Sequence, residues 1–140
     1  MSITGPIVCI EDDDDQQLIS VALKQLQVAN ELCFFTNGET ALDYLKTTAK
    51  KPFLILCNIN LPLMNGVELR KQLNGNESLR RKSIPFLLVS TSADPRLVQT
   101  AYDETVQGYF KKPETFLGLK KQLELMLAYW TECIHPNSQL

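Results

Sequence analysis

The stretch LILCNINLPLMNG, residues 54–66, decides the fold class of this chain. It begins as a run of apolar residues without alternation, which is typical of a strand covered on both faces of a sheet. It then passes through proline and asparagine to Gly66, as a strand does when a loop and a helix follow. We therefore expect a buried parallel strand with the polar side chain of Asn58 at its exit.

The same arrangement recurs along the chain, because each short apolar run is followed by a segment with apolar residues at helical spacing. The runs are IVCI (7–10), LCFF (32–35), FLILC (53–57), FLLVS (86–90) and GYF (108–110). Five strand–helix repeats predict an α/β fold, a doubly wound parallel sheet with helices on both faces. The longest polar connection, residues 74–83, is predicted to be a loop.

Length and composition predict a single domain over residues 1–140, since 140 residues with 44% hydrophobic content suit one core. The net charge of −2 provides no basic field for nucleic acid. No apolar run approaches a membrane span and we find no signal peptide. The four widely spaced cysteines favour reduced, mostly buried thiols in a cytoplasmic protein. His135, the only histidine, lies in a polar tail and is not expected to be a ligand or a base.

Polar residues follow four of the five strands, where the carboxyl ends of an open α/β sheet gather chemistry. Glu11 and Asp12 follow the first strand, Asn58 the third, Ser90 the fourth and Lys112 the fifth. Clustered carboxylates repel each other by about 4 kcal/mol per pair at ~4 Å and an effective dielectric of about 20. They therefore need a cation, and oxygen ligands favour Mg²⁺. The set predicts magnesium-assisted phosphoryl chemistry that lacks a nucleophile.

The neighbouring acidic residues receive a simpler interpretation. Asp14 and Asp15 are expected to be solvated side chains at a helix N-terminus, where negative charge favours the helix dipole.

The motifs IVCIEDD, LILCNINLPLMNGVEL, IPFLLVSTSA and GYFKKP together resemble the receiver domains of bacterial two-component response regulators. The resemblance covers nearly the whole chain and implies the CheY-like fold, with strand order 2-1-3-4-5. It implies a stand-alone signalling module without catalytic residues, whose partner is a sensor histidine kinase or another signalling protein. It also implies an interaction face that includes Tyr102, Lys111 and residues 117–121.

The resemblance assigns roles to the residues at the strand ends. Glu11, Asp12 and the backbone carbonyl of Asn60 would hold Mg²⁺. Ser90 and Tyr109 would form the activation switch. Lys112 would contact the phosphoryl group, and it precedes Pro113, a proline prone to the cis form.

The chain departs from the family where the phosphate-accepting aspartate is expected, because that position is Asn58. An amide is a poor nucleophile and yields no acyl phosphate. Three hypotheses remain: a module that acts by protein contact without phosphorylation, an ordinary receiver whose aspartate was replaced deliberately, and a magnesium-dependent phosphohydrolase that uses Glu11 and Asp12. The missing charge at Asn58 predicts weak Mg²⁺ binding.

The last helix is predicted over about residues 114–133, longer than the sheet requires, with a short polar tail after it. Trp130 lies on its apolar stripe. Trp130 either folds back over the edge of the core or anchors a second chain, which would give a homodimer through this helix.

Overall fold

In a computed structural model of the protein, which describes residues 5–137, the described range contains five strands and six helices, and one helix or two follow each strand. In chain order they are β1 (Ile7–Ile10), α1 (Asp13–Gln25), β2 (Leu32–Phe35), α2 (Gly38–Thr47), β3 (Leu54–Asn58), α3 (Gly66–Gly75), α4 (Glu77–Arg81), β4 (Phe86–Ser90), α5 (Pro95–Asp103), β5 (Gly108–Lys111) and α6 (Phe116–Glu132). The predicted domain of residues 1–140 thus includes residues 1–4 and 138–140, which lie outside the described range.

The strands form one parallel sheet in the order β2-β1-β3-β4-β5, which confirms the predicted fold class. Helices α2 to α5 contribute to a core cluster on one face, and α1 and α6 contribute to a second cluster on the other. Side chains of a strand alternate between these clusters, so that Val8 packs in the first and Cys9 in the second. Both faces are covered, which is why β1 and β3 are continuous apolar runs.

The loop after β3 is held in place by the start of α3. The Asn65 side chain accepts a hydrogen bond from Glu68 N at 2.8 Å, and Glu68 accepts one from Asn65 N at 3.2 Å, which forms a capping box. Gly66 lies so close to the sheet that a Cβ there would be 2.7 Å from Leu88 Cδ2 and 3.0 Å from the Asn58 carbonyl oxygen. Cap and glycine together fix the position of Asn58 at the strand exit.

The loop predicted over residues 74–83 is wrong in part, because α4 occupies Glu77–Arg81. Asn76 caps this short helix by accepting a hydrogen bond from Leu79 N at 3.1 Å. Leu79 is buried in the core, and Glu77 forms an ion pair with Arg81 at 2.8 Å. A cap and one apolar anchor are enough to make a helical turn in a mainly polar segment.

The chain beyond α6 returns to the protein instead of forming a purely polar tail. His135 is buried, and its Nε2 lies 2.7 Å from the Phe53 carbonyl oxygen. Asn137 donates a hydrogen bond to the Lys82 carbonyl oxygen at 2.6 Å. Trp130 packs at the margin of the second core cluster, with its ring centroid 6.3 Å from that of His135. The tryptophan therefore lies in the fold-back position.

Across residues 5–137, none of the helices combines the length and the apolar character that a membrane crossing requires.

Candidate functional site

The parallel strands bring the predicted site residues to one edge of the sheet. Asn58 ends β3 and Ser90 ends β4, whereas Glu11 and Lys112 directly follow β1 and β5. The Glu11 N–H donates to the Phe35 carbonyl at 3.0 Å, which holds the end of β1 against β2. The Lys112 N–H donates to the Ser90 carbonyl at 2.7 Å in the same way. Backbone hydrogen bonds of the sheet thus fix the positions of Glu11 and Lys112 at its carboxyl edge.

Glu11 lies at the centre of this edge and is only 2% exposed. Its Oε1 accepts a hydrogen bond from Asn58 Nδ2 at 2.8 Å and lies 3.6 Å from Lys112 Nζ. Burial raises the pKa of the Glu11 carboxyl, and the Asn58 hydrogen bond and the Lys112 charge act in the opposite direction. The buried carboxylate is therefore stabilised by one amide and one ammonium group.

Both ends of the Asn58 amide are hydrogen-bonded. The Nδ2 group donates to Glu11, and Oδ1 accepts from the Asn60 N–H at 2.9 Å. An aspartate in the same rotamer would place a carboxylate oxygen where Nδ2 stands, next to the Glu11 oxygen. Two carboxylates at that separation repel each other, whereas the amide forms a charge-assisted hydrogen bond. Asparagine therefore suits this arrangement of the pocket better than aspartate does.

Asp15 is part of the site, although its place in the sequence predicts a solvated side chain. Lys112 Nζ donates a short hydrogen bond to Asp15 Oδ2. Burial alone would lower the pKa of Lys112, but Asp15 and Glu11 outweigh it and the pKa is raised. The spacing of Asp12 and Asp15, three residues apart at the start of α1, was the available signal, because such residues share one helix face. Asp14 is exposed, as predicted.

The carboxylates of Glu11, Asp12 and Asp15 suit a hard cation in number and spacing. Each offers an oxygen, and these oxygens lie within 4.8 Å of one another. All three already have partners, because Asp12 caps α1 through Asp15 N at 2.8 Å and the other two face Lys112. A divalent cation would compete with the ammonium group and with the cap. The Asn60 N–H bonds to Asn58, and a role for its carbonyl oxygen as a ligand stays a prediction.

The two predicted switch residues meet at the loop after β4. Ser90 is buried, and its Oγ accepts a hydrogen bond from the Ser92 N–H at 3.1 Å, so it caps the turn that follows. Tyr109 is half-buried, and its hydroxyl donates to the Ser92 carbonyl at 2.8 Å. The Tyr109 N–H donates to the Tyr102 hydroxyl at 3.1 Å. Ser90 and Tyr109 therefore hold one loop segment from two sides.

The resemblance to receiver domains implies that Pro113 is prone to the cis form, but the structure has a trans bond there. Every peptide bond of the described range is trans, including the bond between Lys112 and Pro113.

Comparison with known proteins gives consistent matches over most of the chain. Residues 7–124 match the model of the response regulator receiver domain. The probable methanogenesis regulatory protein FilR2 of Methanothrix harundinacea is 30% identical over 129 residues, which are 89% of this chain and 82% of that protein. The response regulator Rcp1 of Synechocystis is 28% identical over 134 residues, or 91% and 90% of the two chains.

Solved structures of response regulators match this chain with similar sequence identity and coverage. The phosphorylated cyanobacterial phytochrome response regulator RcpA superposes with a TM-score of 0.82 at 28% identity, covering 91% of this chain and 94% of its own. The Mn²⁺-bound form of Rcp1 gives 0.80 at 26% identity, with 93% and 96% covered.

Proposed function

This chain belongs to the response regulator receiver domain family, and we propose that it signals by protein contact without phosphorylation at Asn58. A receiver domain of a two-component system normally accepts a phosphoryl group on a carboxylate at this position. Here the side chain is an amide, which cannot form an acyl phosphate. Signalling by this module would then depend on the residues that its surface presents to a partner and on the interactions within the pocket, and not on a phosphoryl group.

The observation that carries this proposal is the hydrogen bond from Asn58 Nδ2 to Glu11 Oε1 at 2.8 Å. A carboxylate at position 58 could not donate it. The bond compensates a buried carboxylate that would otherwise need a metal ion or a second cation. We infer that the charge distribution of the pocket stays constant during signalling. In this state Glu11 accepts a hydrogen bond from Asn58 and forms an ion pair with Lys112.

The proposed partner is a sensor histidine kinase or another signalling protein, and we assign no catalytic role to any residue. Tyr102 and Leu117 are 47% and 76% exposed, and Lys111 is exposed as well, which supports the predicted interaction face. The proposed location is the cytoplasm, since Cys9 and Cys57 are buried free thiols, as expected for a reducing compartment.

A bound Mg²⁺ would neutralise the acidic cluster and attract phosphate oxygens. Glu11, Asp12 and Asp15 would hold it, and their existing partners support weak binding. The similar Rcp1 structure is a Mn²⁺-bound form, so a relative of this chain is known with a divalent ion.

The test is incubation with acetyl phosphate and Mg²⁺, followed by intact mass measurement. We expect no phosphoryl mass on the native chain and one phosphoryl group on Asn58→Asp, whose carboxylate restores the nucleophile. Asn60→Asp is the matched control, because it adds a carboxylate two residues away and should gain no mass. A stable adduct on the native chain would refute the proposal.

The homodimer through α6 stays a prediction. Trp130 is half-buried beside His135, so the contact would have to use exposed apolar residues of α6 such as Leu125 and Tyr129, at 59% and 63% exposure. Sedimentation of the native chain and of Leu125→Ala above micromolar concentration tests it. A monomer in both would remove the dimer.

A further inference from the structure

A cavity lies at the opposite edge of the sheet from the acidic site, where the strands begin. It is bordered by Ile55 near the start of β3, by Pro85 just before β4 and by Gln107 just before β5. Its volume is about 290 Å³, close to the lower limit of about 300 Å³ for small-molecule pockets. Trp130 and Pro136 form the wall nearest the C-terminus.

Arg70 on α3 lines this cavity and is a half-buried cation without a carboxylate partner in the described range. Its Nε and Nη2 donate to the backbone carbonyls of Glu104 and Thr105 at 3.3 and 3.0 Å. Its guanidinium carbon lies 5.3 Å from the ring centroid of Phe86, which is buried. Burial lowers the pKa of Arg70, and the Glu104 charge opposes this only in part. The charge is fixed in position but not neutralised.

The remaining lining combines a second cation with apolar side chains. Arg80 on α4 borders the cavity, and no carboxylate among the described residues does. Polar groups come from Asn74, Ser83, Thr105 and Gln107. The apolar part of the wall includes Leu45, Ile55, Leu73, Leu79, Ile84 and Trp130.

We propose that this cavity binds a small organic anion, a carboxylate with a short apolar body, whose charge pairs with Arg70 and Arg80. Guanidinium groups present several N–H donors in one plane and match the two oxygens of a carboxylate. The aliphatic wall accepts the apolar body, which a bare inorganic anion lacks. The site is separate from the acidic rim and goes beyond the proposed signalling function, because it gives the module a small-molecule ligand.

Hexanoate is a suitable probe, and Trp130, the only tryptophan of the chain, reports on the cavity wall. We expect a saturable change in tryptophan fluorescence and a rise in melting temperature on adding hexanoate, since a ligand that binds the folded state stabilises it. Hexanamide has the same body without the charge, and acetate has the charge without the body. Each should bind at least about tenfold more weakly than hexanoate.

Substitutions of single arginines test whether hexanoate binds in this cavity. Arg80→Gln should weaken hexanoate binding about three- to tenfold, and Arg70→Gln about tenfold or more. Arg80 is exposed, so its variant tests the site even if Arg70→Gln does not fold. The matched control is Arg81→Gln, the next residue of α4, which does not line the cavity and should bind normally.

Any one of the following results would overturn the proposal: no saturable response of the folded native chain, equal binding of hexanamide and hexanoate, or equal effects of Arg80→Gln and Arg81→Gln. Tighter binding of inorganic phosphate than of hexanoate would also contradict the assigned ligand class.

Discussion

The two edges of the sheet neutralise their charges in different ways. At the carboxyl edge, the charges of Glu11 and Asp15 face the ammonium group of Lys112. At the amino edge, where the strands begin, polar side chains donate hydrogen bonds to main-chain carbonyls instead. Lys82 Nζ donates to the carbonyls of Leu45 and Thr48, at 2.6 and 3.3 Å.

The carboxyl edge is therefore stabilised mainly by interactions between charged side chains, and the amino edge mainly by hydrogen bonds to the backbone. The C-terminal end of a helix carries partial negative charge, so the ammonium group of Lys82 is stabilised by the carbonyl groups that it contacts at the C-terminal end of α2. His135 holds the returning C-terminal chain to Phe53 by a bond to the backbone. The carboxyl edge should therefore respond to changes in charge, and the amino edge to the loss of hydrogen bonds and packing.

The largest effect should come from adding charge at the carboxyl edge. Asn58→Asp should lower the free energy of unfolding in the presence of a chelator by about 2–4 kcal/mol, because a charge-assisted hydrogen bond becomes a repulsion. Asn58→Ala, which removes the bond without adding charge, should lose about half as much. Urea denaturation measures both, and an Asn58→Asp variant more stable than the native chain would show that Asn58 does not compensate Glu11.

At the amino edge, the protein should lose stability when His135, which bonds the returning C-terminal chain to Phe53, is replaced. His135→Ala should reduce the free energy of unfolding by about 1–3 kcal/mol, since the Phe53 carbonyl loses its partner and a buried ring is removed. Ile134 is 81% exposed, and Ile134→Ala should change stability by less than about 0.5 kcal/mol. Equal losses for the two variants in urea denaturation would mean that the returning chain contributes no stability through His135.

Metal affinity should depend on the ammonium group at the carboxyl edge. Lys112→Met should increase Mg²⁺ affinity about three- to tenfold, because Glu11 and Asp15 lose the cation that competes for them. Lys111→Met, at the exposed neighbouring residue, should leave the affinity nearly unchanged. Amide chemical shifts followed during Mg²⁺ titration give the affinities. If both variants bind Mg²⁺ as the native chain does, Lys112 does not compete with the metal.

The smallest effect should be a pH dependence due to Glu11. Its pKa in the folded state lies above the ordinary value of 4.5, so above pH 4.5 the folded protein keeps a proton that the unfolded chain releases. The native chain should therefore lose stability relative to Glu11→Gln as pH rises from 4.5 through the folded pKa, by less than about 1.4 kcal/mol per pH unit.

Urea denaturation with a chelator at several pH values measures this slope. Glu39→Gln on α2, where the carboxyl is exposed, controls for carboxyl loss in general. A relative gain in stability of the native chain with rising pH would contradict the role given to burial at Glu11.

The sequence by itself determined the fold and most of the carboxyl edge. Continuous apolar runs such as residues 54–57 occur where a strand is covered on both faces, and this pattern is local to each strand. Glu11, Asn58 and Lys112 could be assigned together because parallel strands end at one edge. The absence of a nucleophile at Asn58 follows from side-chain chemistry alone.

Only the tertiary structure decided which charges pair and where the last residues lie. Asp15 and Lys112 are 97 residues apart, and His135 and Phe53 are 82 apart. Such pairs depend on how α1 and α6 pack on the sheet, and no periodicity within one segment specifies that placement. Asp15 and Asp14 are adjacent acidic residues in the sequence, yet one faces Lys112 and the other faces water. The orientation of α1 relative to Lys112, the residue after β5, makes that distinction, because successive side chains of a helix point in different directions.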